Sequence, residues 1–119
     1  MAISADGTTF VVGAPIDGTV LIYSLDTSSQ AFIQQGPPLV GSDILGIPGS
    51  VGQGSSVAIS GDASTVMFGG KGDNNLVGAA WVFTKNSSRS WNQQGPKLVG
   101  LNSSPDSQFG LSVALVLGI

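Results

Sequence analysis

The chain has no cysteine and no histidine among its 119 residues, and each of its seven acidic residues is an aspartate. Without cysteine there are no disulfides and no thiolate metal sites, and the redox compartment leaves no mark on the sequence. Without histidine or glutamate the usual bases for a serine nucleophile are missing, so general acid–base work falls to aspartate, lysine or Tyr23 alone. Charge is scarce as well. The cations Lys71, Lys85, Arg89 and Lys97 form no cluster and the net charge is −3, whereas neutralising phosphates needs a basic stripe, so nucleic acid is not an expected partner. Long hydrophobic runs are also missing: "LSVALVLGI" at 111–119 is about half of what spans a bilayer. The opening "MAISADG" has neither a basic n-region nor an apolar h-region. These absences predict a soluble chain with no membrane span, and they are compatible with secretion as part of a longer parent.

What is present points to strands and turns. Glycine, at 18 residues, is about double its usual share of roughly 7%. With aspartate it supplies turn chemistry, while Val, Ser, Thr, Leu and Ile fill the remainder, and a helical protein would instead be rich in Glu, Lys and Ala. The length allows one domain at most, burying about two-thirds of the unfolded surface.

The chain also repeats itself. "QQGPPLVGSD" at 34–43 returns as "QQGPKLVGLN" at 93–102, and "AISADGTTFVVGAPIDG" at 2–18 lies over "AISGDASTVMFGGKGDN" at 58–74, matching Asp6 to Asp62 and Asp17 to Asp73. A third copy starts near the end, where "SQFGLSVAL" at 107–115 lies over "GQGSSVAI" at 52–59. The repeats run about 2–57 and about 58–113, with the start of a third in 107–119. Within one unit, "SSVAIS", "STVMFGG", "GAAWVFTK" and "SWNQQ" alternate with Gly/Asp/Asn turn clusters, and "MAIS", "TTFVVGA", "TVLIYSL" and "QAFIQQ" are their counterparts. The proline of "GPPLVG" and "GPKLVG" ends the fourth strand and starts a crossing segment, because proline cannot donate to a ladder. No window has a helical period. Four antiparallel strands at a fixed period predict an all-β fold of β-propeller blades, about two per chain; a sandwich or a parallel solenoid is the alternative. Trp81 and Phe83 share one face of a strand and are expected to pack one blade on the next, and Trp91, the counterpart of Phe32, reads as a further interblade filler with a sugar platform as the alternative.

"FG" at Phe109 and Gly110, "GAP" at 13–15, "SVAIS", "GDNN", "WVFTK" and "WNQQGPKLVG" together resemble the FG-GAP repeat, which builds the propeller of integrin α-subunits and of many bacterial surface proteins. The resemblance covers nearly the whole chain, with "GGK" at 69–71 and "GQG" at 52–54 as departures. It implies an extracellular or cell-surface setting. It also implies a place for calcium, in the DxDxDG loop between the first two strands of many such blades. Here that loop holds a single aspartate, Asp6 or Asp62, and calcium wants six to eight oxygens, several of them carboxylate. No cofactor is therefore expected, and both residues read as turn aspartates with metal as the lesser alternative.

Asp17 and Asp73, between the second and third strands, read as turn residues or as candidates to face a ligand or an oligomer axis. N-x-S sequons stand at Asn86 and Asn102. Propellers close with about four to eight blades, so two-blade chains are expected to assemble as homo-oligomers, a trimer of six blades being slightly favoured. The rival expectation is a piece of a longer propeller with a purely structural role. The C-terminal strand is expected to pair with the first blade of its own chain or of a neighbour. The expected function is a non-catalytic module binding protein or carbohydrate, and the alternative is an enzyme scaffold with an aspartate-based, glycosidase-like site.

Overall fold

In the computed structural model, residues 1–100 and 106–115 are described. The first of two sheets contains β1 (Ala2–Ile3), β2 (Thr9–Ala14), β3 (Thr19–Asp26) and β4 (Ala31–Gln34). The second contains β5 (Ser56–Ile59), β6 (Thr65–Gly70), β7 (Ala79–Lys85) and β8 (Trp91–Gln93). Each sheet is four-stranded and antiparallel, and its spatial order is its chain order. The expected all-β class and the eight strands are thus present. A single helical turn that the sequence did not announce, α1 (Pro48–Val51), lies in the connector between the sheets. Proline at the first helical position, where no donor is needed, and Gly52 in the left-handed conformation at its end account for it. Between β6 and β7 the turn α2 (Asp73–Leu76) is broken by left-handed Asn74 and Asn75, a conformation that asparagine tolerates better than most residues.

The repeat is kept in register. Gly13 pairs with Val20 in the first sheet and Gly69 with Ala80 in the second. Residues 34–41 and 93–100 of the duplicated stretch begin at the end of the outer strand and run back along the third. Gln35 N–H donates to the Ile22 carbonyl at 2.7 Å and Gln94 N–H to that of Val82 at 2.7 Å. After a left-handed glycine, Gly36 or Gly95, Leu39 rejoins β3 opposite Val20 and Leu98 rejoins β7 opposite Ala80. The fourth strand thus ends ahead of the proline, and the segment after it makes one isolated bridge to the third strand in each copy.

The core lies between the sheets. Val11, Val20, Ile22 and Leu39, on the face of the first sheet called the rear here, pack against Val66, Phe68, Trp81 and Phe83 on the front of the second. Phe68 and Trp81 are fully buried, with ring centroids 6.0 Å apart, and Phe83 stacks on Phe68 at 5.5 Å. Each of these rings contributes about 2–3 kcal/mol by leaving water. Trp81 and Phe83 thus join the sheets, as their spacing predicts. Close approach is allowed by glycine: a Cβ on Gly13 would collide with the Gly54 carbonyl, and one on Gly41 with the Trp81 ring. The indole N–H of Trp81 donates to the Ser42 carbonyl at 2.8 Å. The side chain of Gln53, also buried, accepts from Gly41 N–H at 2.8 Å and donates to the Gly41 carbonyl at 3.1 Å.

Residues 106–110 lie on the second sheet. Gln108 and Phe109 N–H groups donate to the carbonyls of Leu76 and Val77 at 2.8 and 2.9 Å, and the Ser56 hydroxyl donates to the Gly110 carbonyl at 2.8 Å. Residues 111–115 form no strand, and among the described residues they have no pairing with β1 of their own chain. The expected C-terminal strand is therefore not paired within the chain as far as residue 115, and its residues 116–119 lie outside the described ones.

Candidate functional site

Four features bear on function, and three of them are turns or clamps built by aspartate and asparagine. Asp6 Oδ1 accepts from the Ser4 hydroxyl at 2.9 Å, from Thr8 N–H at 3.0 Å and from the Thr8 hydroxyl at 2.7 Å. Asp62 Oδ1 repeats this with the Ser60 hydroxyl at 2.7 Å, Ser64 N–H at 3.0 Å and the Ser64 hydroxyl at 2.7 Å. The hydroxyl of residue 8 or 64 is the largest influence holding each carboxyl below its ordinary range. Each hairpin therefore satisfies its carboxylate with its own hydroxyls, at the place where a calcium loop would have further carboxylates. No group of three or more metal-ligating side chains occurs among the described residues.

Asp26, in the turn between β3 and β4, is held in the same way by Ser28 and Ser29, and its carboxyl too lies below the ordinary range. Asn86 takes the equivalent place in the second sheet, its carbonyl accepting from Ser88 and Ser90 N–H at 2.9 and 3.0 Å. This sequon is exposed; the one at Asn102 lies outside the described residues.

The two aspartates matched by the repeat as Asp17 and Asp73 meet different surroundings. Asp17 is exposed, and its N–H closes a turn onto the Ala14 carbonyl at 3.1 Å. Asp73 is 1% exposed; Oδ1 accepts from Leu45 N–H at 2.7 Å and Oδ2 pairs with Lys97 Nζ at 2.7 Å. Lys97 also donates to the Asp43 carbonyl at 2.8 Å. This clamp holds the connector, at Asp43 and Leu45, against the second sheet. The sequence signal for it is the single difference between the two decapeptides in their shared "QQGP(P/K)LVG": lysine at 97 stands where the first copy has Pro38.

The fourth feature is a groove of about 270 Å³ at the outer end of the cleft between the sheets. Residues 35–37 and Leu39 line it from the first sheet, and residues 89–91 from the second. Trp91 is half-buried there, packed against the core as the filler reading predicts, yet part of its ring faces the groove. Lys85 Nζ lies 5.6 Å from the centre of that ring, a cation–π distance. Arg89, exposed and left-handed at φ +63°, supplies a second cation at the rim. The groove thus combines part of an aromatic ring, a proline, the Arg89 cation and the Gln35 residue, with Lys85 stacked on the same ring but outside the lining. Of the candidates from sequence, only Trp91 contributes to it; Arg89 and Gln35 were not singled out, because nothing in a lone arginine after "NSS" tells that the second sheet's outer turn meets the first sheet's proline turn.

No helix among the described residues is long and apolar enough to cross a membrane. No family model, curated protein or solved structure gives a significant match to the chain.

Proposed function

We propose that this chain is a pair of β-propeller blades of the FG-GAP type acting as a non-catalytic interaction module, with the groove at Trp91 as its site for a protein or carbohydrate ligand and further copies of itself as structural partners. The observation that carries the reading is the groove's make-up: Trp91 beside the Arg89 cation, with Gln35 and a proline opposite. That is a set of groups for recognising surface, by stacking and by hydrogen bonds to anionic or hydroxyl groups, and not for transferring protons. The state of the aspartates supports it, since Asp6, Asp26 and Asp62 are committed to their own turns and Asp73 to Lys97.

The test is a screen of the chain against glycan and peptide arrays, followed by titration of any ligand found with Trp91→Ala and Arg89→Ala. Both variants are expected to weaken binding at least tenfold, and Asp17→Asn to leave it unchanged. Hydrolysis of a glycoside by the native chain, lost in Asp17→Asn or Asp73→Asn, would overturn the reading in favour of a glycosidase-like site.

A further inference from the structure

The sheet-to-sheet interface inside the chain is one instance of a contact for which the molecule presents both halves again on its outside. By the repeat, the front face of the first sheet is equivalent to the front of the second: Phe10, Val12, Leu21 and Tyr23 stand where Val66, Phe68, Trp81 and Phe83 stand. The second set is buried in the core, whereas all four members of the first remain partly exposed. Phe10 stacks on Tyr23 at 5.1 Å and meets Phe32 edge-on at 4.9 Å, so this outer face carries an aromatic row. The rear faces show the same contrast. Leu39 is 7% exposed because the second sheet covers it, while its equivalent Leu98 is 44% exposed. Leu98, Met67, Phe109 and Val113 line a groove of about 330 Å³ on that rear face.

The backbone indicates what fits there. Gly54, which leads into β5, lodges against Gly13 of the first sheet, and Gly110 lodges against Gly69 of the second in the same way. Gly110 is thus held on the second sheet as Gly54 is held on the first, ahead of Ser112 and Val113, which the repeat matches to Ser56 and Val57 of β5. On the first sheet the corresponding place is reached only by Met1, which in register stands opposite Val12 but lies outside β1, so the incoming residue would take its position. β5 pairs with β6 over four positions, Ser56 opposite Gly69 through Ile59 opposite Val66. β1 pairs with β2 only at Ala2 opposite Val11 and Ile3 opposite Phe10, which leaves the edge of β2 at Val12 and Gly13 without the partners that Phe68 and Gly69 have.

We infer that a second copy of this chain binds head to tail, the front face of its first sheet covering the rear face of the second sheet, with Ser112 and Val113 of one chain pairing with Gly13 and Val12 of the next. This rests on the self-assembly proposed above and specifies its surfaces and its register. The contact is heterologous, and such contacts close into rings when the rotation between units permits. Strand addition gives it backbone hydrogen bonds, and the apolar faces give it area.

The experiment uses the full chain, whose lack of cysteine gives a clean background. Val12→Cys and Val113→Cys single variants are mixed and mildly oxidised, and in parallel the mass of the native chain, of Leu98→Asp and of the exposed control Thr27→Asp is followed by light scattering with concentration. The expected results are a covalent dimer from the mixture and little from either variant alone, a native mass that is a multiple of 11.9 kDa, and a fall to the single-chain mass in Leu98→Asp only. Circular dichroism checks that Leu98→Asp keeps its strands. A native assembly that Leu98→Asp leaves intact and the cysteine pair does not cross-link would overturn these surfaces while self-assembly stood. A folded native chain that stays at single-chain mass at every concentration would overturn both.

Discussion

At the residue scale, the recurring device is an exposed carboxylate or amide with two or three donors from the residues just after it. Asp6, Asp26, Asp62 and Asn86 all tie a turn by accepting the N–H two residues on, and the three aspartates add serine or threonine hydroxyls. Such turns fix hairpin geometry without a metal. They also make the fold sensitive to acid, with a definite sign. The carboxyls of Asp6, Asp26 and Asp62 are lowered in the folded chain by their hydroxyl and amide donors. Their stabilisation is therefore fully present above the unfolded value of about 3.9 and is lost as pH falls through the lowered folded values. Thermal melts between pH 7 and pH 2 are expected to show a steep loss below about pH 4. The double variant Asp6→Asn, Asp62→Asn keeps an acceptor oxygen but cannot titrate, so its acid dependence should be shallower than the native one. An unchanged slope would mean that these turns do not couple to global folding.

At the element scale, strand number, order and pairing were legible because the physics that sets them is local: β-branched and aromatic runs separated by glycine and aspartate, each written twice. Sheet-to-sheet packing was legible at Trp81 and Phe83, whose alternation puts both on one face. The connector was not legible. Its one helical turn has no apolar period to announce it, and its anchors, Gln53 on Gly41 and Asp73 with Lys97 on Asp43 and Leu45, join residues far apart in sequence that no local pattern links. The repeat even misleads here, since it equates Asp73 with Asp17, which has no lysine at the matching place. The clamp carries a prediction. Lys97→Met leaves a carboxylate 1% exposed without its counterion and is expected to cost about 3 kcal/mol in a denaturant melt. Asp73→Asn removes the buried charge yet still accepts from Leu45 N–H, so it should cost about half as much. If the asparagine variant proves the more damaging, the ion pair itself and not the lone buried charge governs this connector.

At the scale of the whole molecule, the two sheets form one interface, while the front of the first sheet and the rear of the second, which we propose as the surfaces between copies, remain partly exposed. A single chain with this shape, 49 by 28 by 22 Å, has most of its apolar burial in one layer, between the sheets, while the Phe10, Tyr23 and Phe32 row and the Leu98 groove remain open to water. In the proposed assembly, contacts between copies would add burial that the isolated chain lacks, and because they would exist only in the assembled state, mass action would tie stability to concentration. Each tenfold rise in protein is worth up to about 1.4 kcal/mol per chain, which for a domain of this size shifts the melting temperature by up to roughly 5 °C. Calorimetry over a hundredfold range of concentration is expected to show this rise for the native chain and for Thr27→Asp. It should be absent in Leu98→Asp, which melts as a single chain at every concentration. Phe10→Ala separates the contributions further: its ring lies outside the core between the sheets, so its cost should grow with concentration, whereas Phe68→Ala, emptying the formed interface, should cost about 3–5 kcal/mol at any concentration. A native melting temperature independent of concentration would mean that these apolar faces contribute nothing between copies.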